Sequence, residues 1–496
     1  MSKTRNTRNT RNTRKRPTPF VGQAATRALR EYWSGRPAVL LWPSFTRTAR
    51  TVLEQLTACG ATVAGVVTAT GPDEVPPVVP DVFSCAERGL DVSPGDFYAW
   101  LDDPSPALGS WLDRLDPDRT WTALGDNFLE TGDLFGRSVH GWRRPAWSEW
   151  EDKTRIEALW QAAGVPSPRH VVTRADDPAL AGHARDLDRG SGVVVAIDST
   201  RAHYGNATGL RWVRDPQGDP RALADALRWA GEHALKVRVA EFVEGTPCSV
   251  LGLVLADGVA VFDPIEIVTL RDRNSARLTF CGSSTHWRPD PAAVQPMREH
   301  VRRAGHWLAA NAGFRGMFSV DGLLGERGFV ATELNPRQAS GLGLRAAWPD
   351  FPGYLFQRAV QEAVPGVADL SWQHVETTFR DAIRRRPSHS VTIPIPVAPD
   401  RSPYAKVVAR GREQIASFRP DGHGVRLVVL DPPSADGLYG PGTAALARRL
   451  GRPELESPAE SAAERPAESP AGSSAESTAE SRTEGPADQS PPGGPR

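Results

Sequence analysis

Twenty-five residues from Gly313 to Arg337, GFRGMFSVDGLLGERGFVATELNPR, limit what this chain can become more than any other stretch. Residues 317–324 and 329–335 read as strands around Gly325-Glu326-Arg327-Gly328, a short turn with glycine at each end. A hairpin centred on Arg327 sets Asp321 directly opposite Glu333. Side-chain alternation then puts Glu333 and Asn335 on one face and Val330, Thr332 and Leu334 on the other. Two carboxylates and an amide oxygen converge. Such ligands suit Mg²⁺ (or Mn²⁺), which leaves coordination positions to water and phosphate oxygens instead of taking an all-protein cage. A nucleotide is the natural source of those phosphates. Acidic residues beside turns are also ordinary solvated charges, so the rest of the chain has to decide.

At 496 residues with 40% apolar content, the chain has room for two or three soluble domains. Arginine outnumbers lysine by 54 to 5, a bias of coding composition more than of binding, and it makes each lysine informative. The zero net charge hides charged ends: seven basic groups lie in the first sixteen residues, and nine acidic against three basic in the last forty-three. The opening TRNTRNTRNTRKR and the closing Pro/Ala/Ser/Glu repeats have too little apolar content to bury, so both ends are expected to be disordered. A nucleic-acid role for the basic arm is the weaker reading of that composition. No apolar run suits a signal peptide or a membrane span, which points to a cytoplasmic protein without a membrane partner. Cys59, Cys85, Cys248 and Cys281 form no CxxC pair, against zinc and against a disulfide framework.

Between the ends, Ala38–Trp42, a helical pattern through Val52, Leu53 and Leu56, and Thr62–Val67 make a βαβ opening without GxGxxG. This domain is therefore expected to wall a cleft and not to hold a dinucleotide. A new unit starts near Trp150, where Glu151-Asp152-Lys153 leads a helix with Ile156, Leu159, Trp160 and Ala163 on its apolar face, closed by Gly164. Strands follow near Val171, at 192–197, 235–242, 249–255 and 259–262, and a helix at 296–312 delivers the chain into the hairpin.

This order of motifs resembles the ATP-grasp superfamily of carboxylate ligases, over roughly residues 38–370. EDKTRIEALWQAAGVPSPRHVV (151–172) is similar to the segment that opens the family's nucleotide-binding region, which implies phosphate contact by Lys153. VRVAEFVEGTPCSVLG (237–252) resembles the hinge that grips adenine, implying backbone contacts from Glu241 and Val243. VDGLLGERGFVATELNPR resembles the metal hairpin, which carries over Asp321, Glu333 and Asn335 as ligands and Arg337 as a phosphate-facing cation. Two positions depart from the pattern. Ala196 stands where relatives carry a second phosphate-binding lysine, and Pro247 where they carry a ribose-binding glutamate; Arg201 or His203, and Glu244, are candidate replacements.

The resemblance implies an α/β chain (α+β within the ATP-grasp unit) divided as follows: a disordered arm at 1–30, a Rossmann-like domain at 35–148, a two-subdomain ATP-grasp unit at 149–372 (149–240 and 241–372), a small module at 373–451 that closes the cleft or mediates homodimerisation, and a disordered tail at 452–496. It also implies an ATP-dependent ligase that activates a small-molecule carboxylate as an acyl phosphate for attack by an amine. The alternative is a nucleotide-binding relative impaired by Ala196 and Pro247, with a regulatory or scaffold role. Arg271, Arg273 and Arg277 read by default as surface arginines, with a bidentate clamp on a substrate carboxylate as the alternative; GLGLR (341–345) reads equally as a close backbone approach near the nucleotide or as a plain loop, and the loop of Gly205 and Gly209 is the candidate lid.

Overall fold

The computed structural model describes residues 21–199, 208–275, 277–339, 343–393, 409–410, 413–414, 416–421, 424–429, 433–458 and 460. Arg201, His203, Gly205, Gly341, residues 404–408 and the outermost parts of both termini lie outside the described residues.

The chain first builds a parallel four-stranded sheet in the order Val82–Ser84, Thr62–Thr68, Pro37–Leu41, Thr122–Gly125. Pro37–Leu41 is apolar along its length because helices cover both faces. One of these helices, Val21–Trp33, falls largely in the segment expected to be disordered. Val21, Ala25, Leu29 and Trp33, at four-residue spacing, are buried, so the folded chain begins earlier than residue 35.

Strands His170–Arg174, Lys236–Glu241, Val193–Ile197 and Leu210–Val213 form an antiparallel sheet in that order. Helices Leu180–Leu187 and Pro220–His233 cover it, and the unit has its own core around Leu180, Val195, Leu223 and Val237. The 236–241 strand runs out through residues 242–245 into Thr246–Leu255, the start of the largest sheet.

That sheet runs Gly328–Asn335, Gly316–Gly325, Thr246–Leu255, Ile265–Asp272, Leu278–Ser284, His389–Ile393, Gly424–Val429, Ala416–Asp421. The region expected as a separate module at 373–451 is therefore continuous with it. Helix Trp372–Arg385 packs Val375, Phe379 and Ala382 into the core shared by the N-terminal domain and Leu251, Leu253 and Phe262. Leu455–Glu456, inside the expected tail, pairs with Ile265–Asp272, and Leu455 is buried. Both boundaries were misplaced for one reason: a two-residue strand and strands completing a distant sheet leave no local periodicity.

Candidate active site

Gly316–Gly325 and Gly328–Asn335 form the expected hairpin, and Asp321 pairs with Glu333. The route to that register differs from a hairpin centred on Arg327. Gly325 pairs with Gly328, so Glu326 and Arg327 are the loop, and Gly322 pairs with Ala331. Thr332 is the extra residue of a β-bulge, and its hydroxyl donates to the Asp321 carbonyl at 3.1 Å. The bulge shifts side-chain parity: Phe329, Ala331 and Leu334 enter the core while Val330 does not, so Val330 and Leu334 do not share a face. Gly322 permits this close approach. A Cβ there would sit 2.3 Å from the Val330 carbonyl oxygen.

The three proposed ligands are brought together. Asn335 Nδ2 donates to Asp321 Oδ2 at 3.1 Å and to Ser319 Oγ at 3.3 Å. Ser249 Oγ, on the neighbouring strand, donates to Asp321 Oδ1 at 2.6 Å. Burial, and then the charge of Glu333 opposite, push the Asp321 carboxyl up to about 6, against the pull of Ser249, Arg337 and Ser319. A buried carboxylate facing a second, partly exposed one concentrates negative charge at the hairpin. Among the described residues no group of three or more His, Cys, Asp and Glu gathers as a metal cluster.

Basic groups from outside the hairpin complete the constellation. Lys153 lies in the turn before helix Ile156–Ala163, and its Nζ is 3.1 Å from Glu333 Oε2. Arg337 Nη2 donates to Asn335 Oδ1 at 2.9 Å and its Nε to Glu151 Oε1 at 2.8 Å. Arg143 holds the other oxygen of Glu151 at 3.0 Å, an aligning contact that the sequence alone did not suggest.

Two further departures have structural counterparts. Ala196 is buried and pairs across the ladder with Arg238, whose guanidinium is ion-paired with Glu157 and feels the charge of Glu333. A cation thus enters from the adjacent strand on the side where Ala196 has none; the alternation of 237–241 could have flagged this polar residue in a buried strand. Pro247 pairs with Leu323, and Glu244 accepts from Arg271 Nη1 at 2.9 Å. The Glu241 amide is taken by the Arg169 carbonyl at 2.9 Å. Among the described residues the Val243 amide has no hydrogen-bond partner.

The reading in which Arg271 and Arg273 clamp a substrate carboxylate is corrected. Arg271 is buried between Glu244 and Glu456, at 2.5 Å from the latter, and Arg273 Nε sits 2.6 Å from Glu456. They tie the C-terminal strand to the hinge. Arg277, by contrast, lines a cleft of about 1420 Å³ whose walls include Trp42 to Thr48, Asp126 to Phe128, Arg337 and Arg345. Trp42 and Asp126 follow the carboxyl ends of adjacent parallel strands, where the strand order reverses, the usual place for a ligand on such a sheet.

Solved structures of the same architecture include an N5-carboxyaminoimidazole synthase from Aspergillus clavatus with ADP and 5-aminoimidazole ribonucleotide (TM-score 0.52, 17% identity, covering 85% of this chain and 100% of that one). An N5-carboxyaminoimidazole ribonucleotide synthetase in its ADP complex gives a TM-score of 0.54 at 12% identity, covering 85% and 98%. The biotin carboxylase domain of the Hydrogenobacter thermophilus 2-oxoglutarate carboxylase, with magnesium ADP and bicarbonate, gives 0.50 at 14%, covering 79% and 85%. The chain has the ATP-grasp fold. No family model matches the sequence, and no curated protein matches it significantly. No described helix is long and apolar enough to cross a membrane.

Proposed function

We propose that this ATP-grasp protein is an ATP-dependent carboxylate–amine ligase. The observation that carries the reading is the convergence of Asp321, Glu333 and Asn335 with Lys153 and Arg337 at the hairpin. The structures of similar architecture were solved with ADP, which supports a nucleotide here.

In this reading a carboxylate oxygen attacks the γ-phosphorus of ATP, the bond to the ADP oxygen breaks, and an acyl phosphate forms. An amine then attacks the acyl carbon, phosphate leaves, and the amine gives up a proton. Two anions must meet, so the site's work is alignment and charge neutralisation in place of covalent help. Asp321, Glu333 and Asn335 would hold Mg²⁺ or Mn²⁺, which would supply countercharge to the phosphates. Lys153, resting on Glu333 Oε2, and Arg337, resting on Asn335 Oδ1, are the protein cations that would face the phosphates. Glu151, held by Arg143, aims the Arg337 fork. The Glu241 carbonyl and Val243 amide read the adenine edge, and Glu244, steadied by Arg271, takes the ribose hydroxyls. Arg238 supplies the second strand-borne cation, so Ala196 does not by itself signal a dead site.

The test is phosphate release from ATP in the presence of acid and amine mixtures, with mass spectrometry of the product. Glu333→Ala should lower turnover by about 10²-fold or more at unchanged melting temperature. Undiminished release by a folded Glu333→Ala protein removes the metal role assigned here.

A further inference from the structure

The cleft between the N-terminal domain and the large sheet is charged in one direction. Among the described residues five arginines line it, Arg47, Arg211, Arg277, Arg337 and Arg345, against a single acid, Asp126. Asp126 is engaged already: it accepts the Phe128 amide at 2.7 Å and has Arg358 and Arg337 nearby. In the described remainder of the molecule, most inward-facing arginines have carboxylate partners, as Arg137, Arg143, Arg271 and Arg298 do. Arg47, Arg277 and Arg345 are exposed at the rim and have no carboxylate partner among the described residues; they come from three separate segments: the first turn of helix Arg47–Ala58, the residue before Leu278–Ser284, and helix Leu344–Ala347.

A second observation agrees. Arg211 is fixed, its guanidinium 3.7 Å from the Trp229 ring centroid and donating to the Leu210 carbonyl at 2.7 Å. Burial, and then the like charge of Arg277, hold it below its ordinary range. Two guanidiniums repel each other across a cleft wall with no carboxylate between them. The same cleft is also lined by Ser283, paired with Ser390, and by Ser388 and Thr392, which donate or accept without adding charge.

Resting on the ligase reading, we propose that the acid activated here carries a second anionic group, carboxylate or phosphate. One end meets Arg337 beside the hairpin, and the other reaches the Arg47, Arg277 and Arg345 rim. The hinge residues assigned to the nucleotide do not line this cleft, so ATP alone does not account for the rim. Concave walls of one sign concentrate ions of the other, and guanidinium forks favour planar or tetrahedral oxyanions.

The test is calorimetric titration of the full chain, saturated with magnesium ADP, using propionate, succinate and 2-phosphoglycolate. Succinate and 2-phosphoglycolate, each with a second anionic group, should bind about tenfold or more tighter than propionate, and the better of them identifies that group. Arg47→Gln and Arg345→Gln should each remove most of that gain. Arg47→Gln, remote from the hinge, should leave ADP affinity within about twofold and the melting temperature unchanged. Arg47→Lys, which keeps the charge, should retain part of the gain and guards against a folding artefact. Equal affinity for all three acids, or a gain untouched by the arginine variants, overturns the proposal while ADP binding leaves the nucleotide reading intact. Succinate or 2-phosphoglycolate binding without ADP binding sinks that reading instead.

Discussion

At the scale of single residues, Arg238 is the sharpest test of the site's repair. It is buried with Glu157, so Arg238→Met leaves an uncompensated carboxylate and should cost about 3–5 kcal/mol in urea denaturation. Adding Glu157→Gln should restore most of the stability but not the nucleotide affinity; recovery of both would make the pair merely structural. Ala196→Lys should fail to tighten ATP binding, because the new ammonium would be buried opposite Arg238, and a tighter complex would show that position 196 is the vacant phosphate site. Much of this site was legible beforehand, since the hairpin's ligand types, spacing and glycines constrain each other locally. Asp321 opposite Glu333 came out right although the loop was miscentred, because the Thr332 bulge returns the strand to the register that a longer loop would have produced. The alternation of 237–241 marks Arg238 as unusual but does not name its partner, and the role of Glu151 leaves no local mark, because Glu157 on helix Ile156–Ala163 and Arg337 beyond the hairpin lie in other segments that only the tertiary fold brings to them.

At the scale of elements, the C-terminal strand and helix are the pieces that sequence periodicity could not place, and they act on the site from a distance. Glu456 holds Arg271, which holds Glu244 at the hinge. Truncation after residue 451, or Glu456→Gln, should therefore weaken magnesium ATP binding by about tenfold, measured by equilibrium titration; unaltered affinity would leave Glu244 without a nucleotide role. The helix Gly440–Arg449 is anchored by Glu266, which accepts the Tyr439 and Gly440 amides at 2.7 and 2.8 Å. Burial pushes this carboxyl up to about 7, outweighing those amides. The folded chain then holds a proton that the unfolded chain, with an ordinary glutamate, has released. Between about pH 4.5 and 7 this group makes stability fall as pH rises, by up to about 3 kcal/mol in total. Glu266→Gln should flatten that part of the stability profile, and an unchanged slope would assign it to other groups.

At the scale of the whole molecule, the cores determine which parts can move. Val21, Leu29, Trp33, Leu40 and Val52 of the N-terminal domain share one continuous core with Leu251, Leu253, Phe262, Phe356 and Phe379. Asn127 Nδ2 donates to the Gln338 carbonyl at 3.0 Å across the cleft, and Trp147 Nε1 to the Ala312 carbonyl at 3.0 Å. Opening that junction would expose buried apolar surface at roughly 25 cal/mol per Å². The sheet unit His170–Glu241 has a core of its own and is tied back by one buried ion pair, Arg238 with Glu157 of helix Ile156–Ala163, and by lighter contacts: Ser199 amide to Asp152 at 2.8 Å, Arg214 to the Arg273 carbonyl at 3.1 Å, and the Trp212–Phe242 stack at 4.5 Å. Movement should therefore centre on residues 242–245, with the smaller sheet closing on nucleotide and the N-terminal domain staying fixed to the large one. Hydrogen exchange measured with and without magnesium ADP should show slowing at 241–246 and along Val193–Ile197, and no change in Pro37–Leu41 or Thr122–Gly125. Comparable slowing in those parallel strands would mean that the shared core yields, and that the cleft closes as a whole around its ligands instead of by one subdomain.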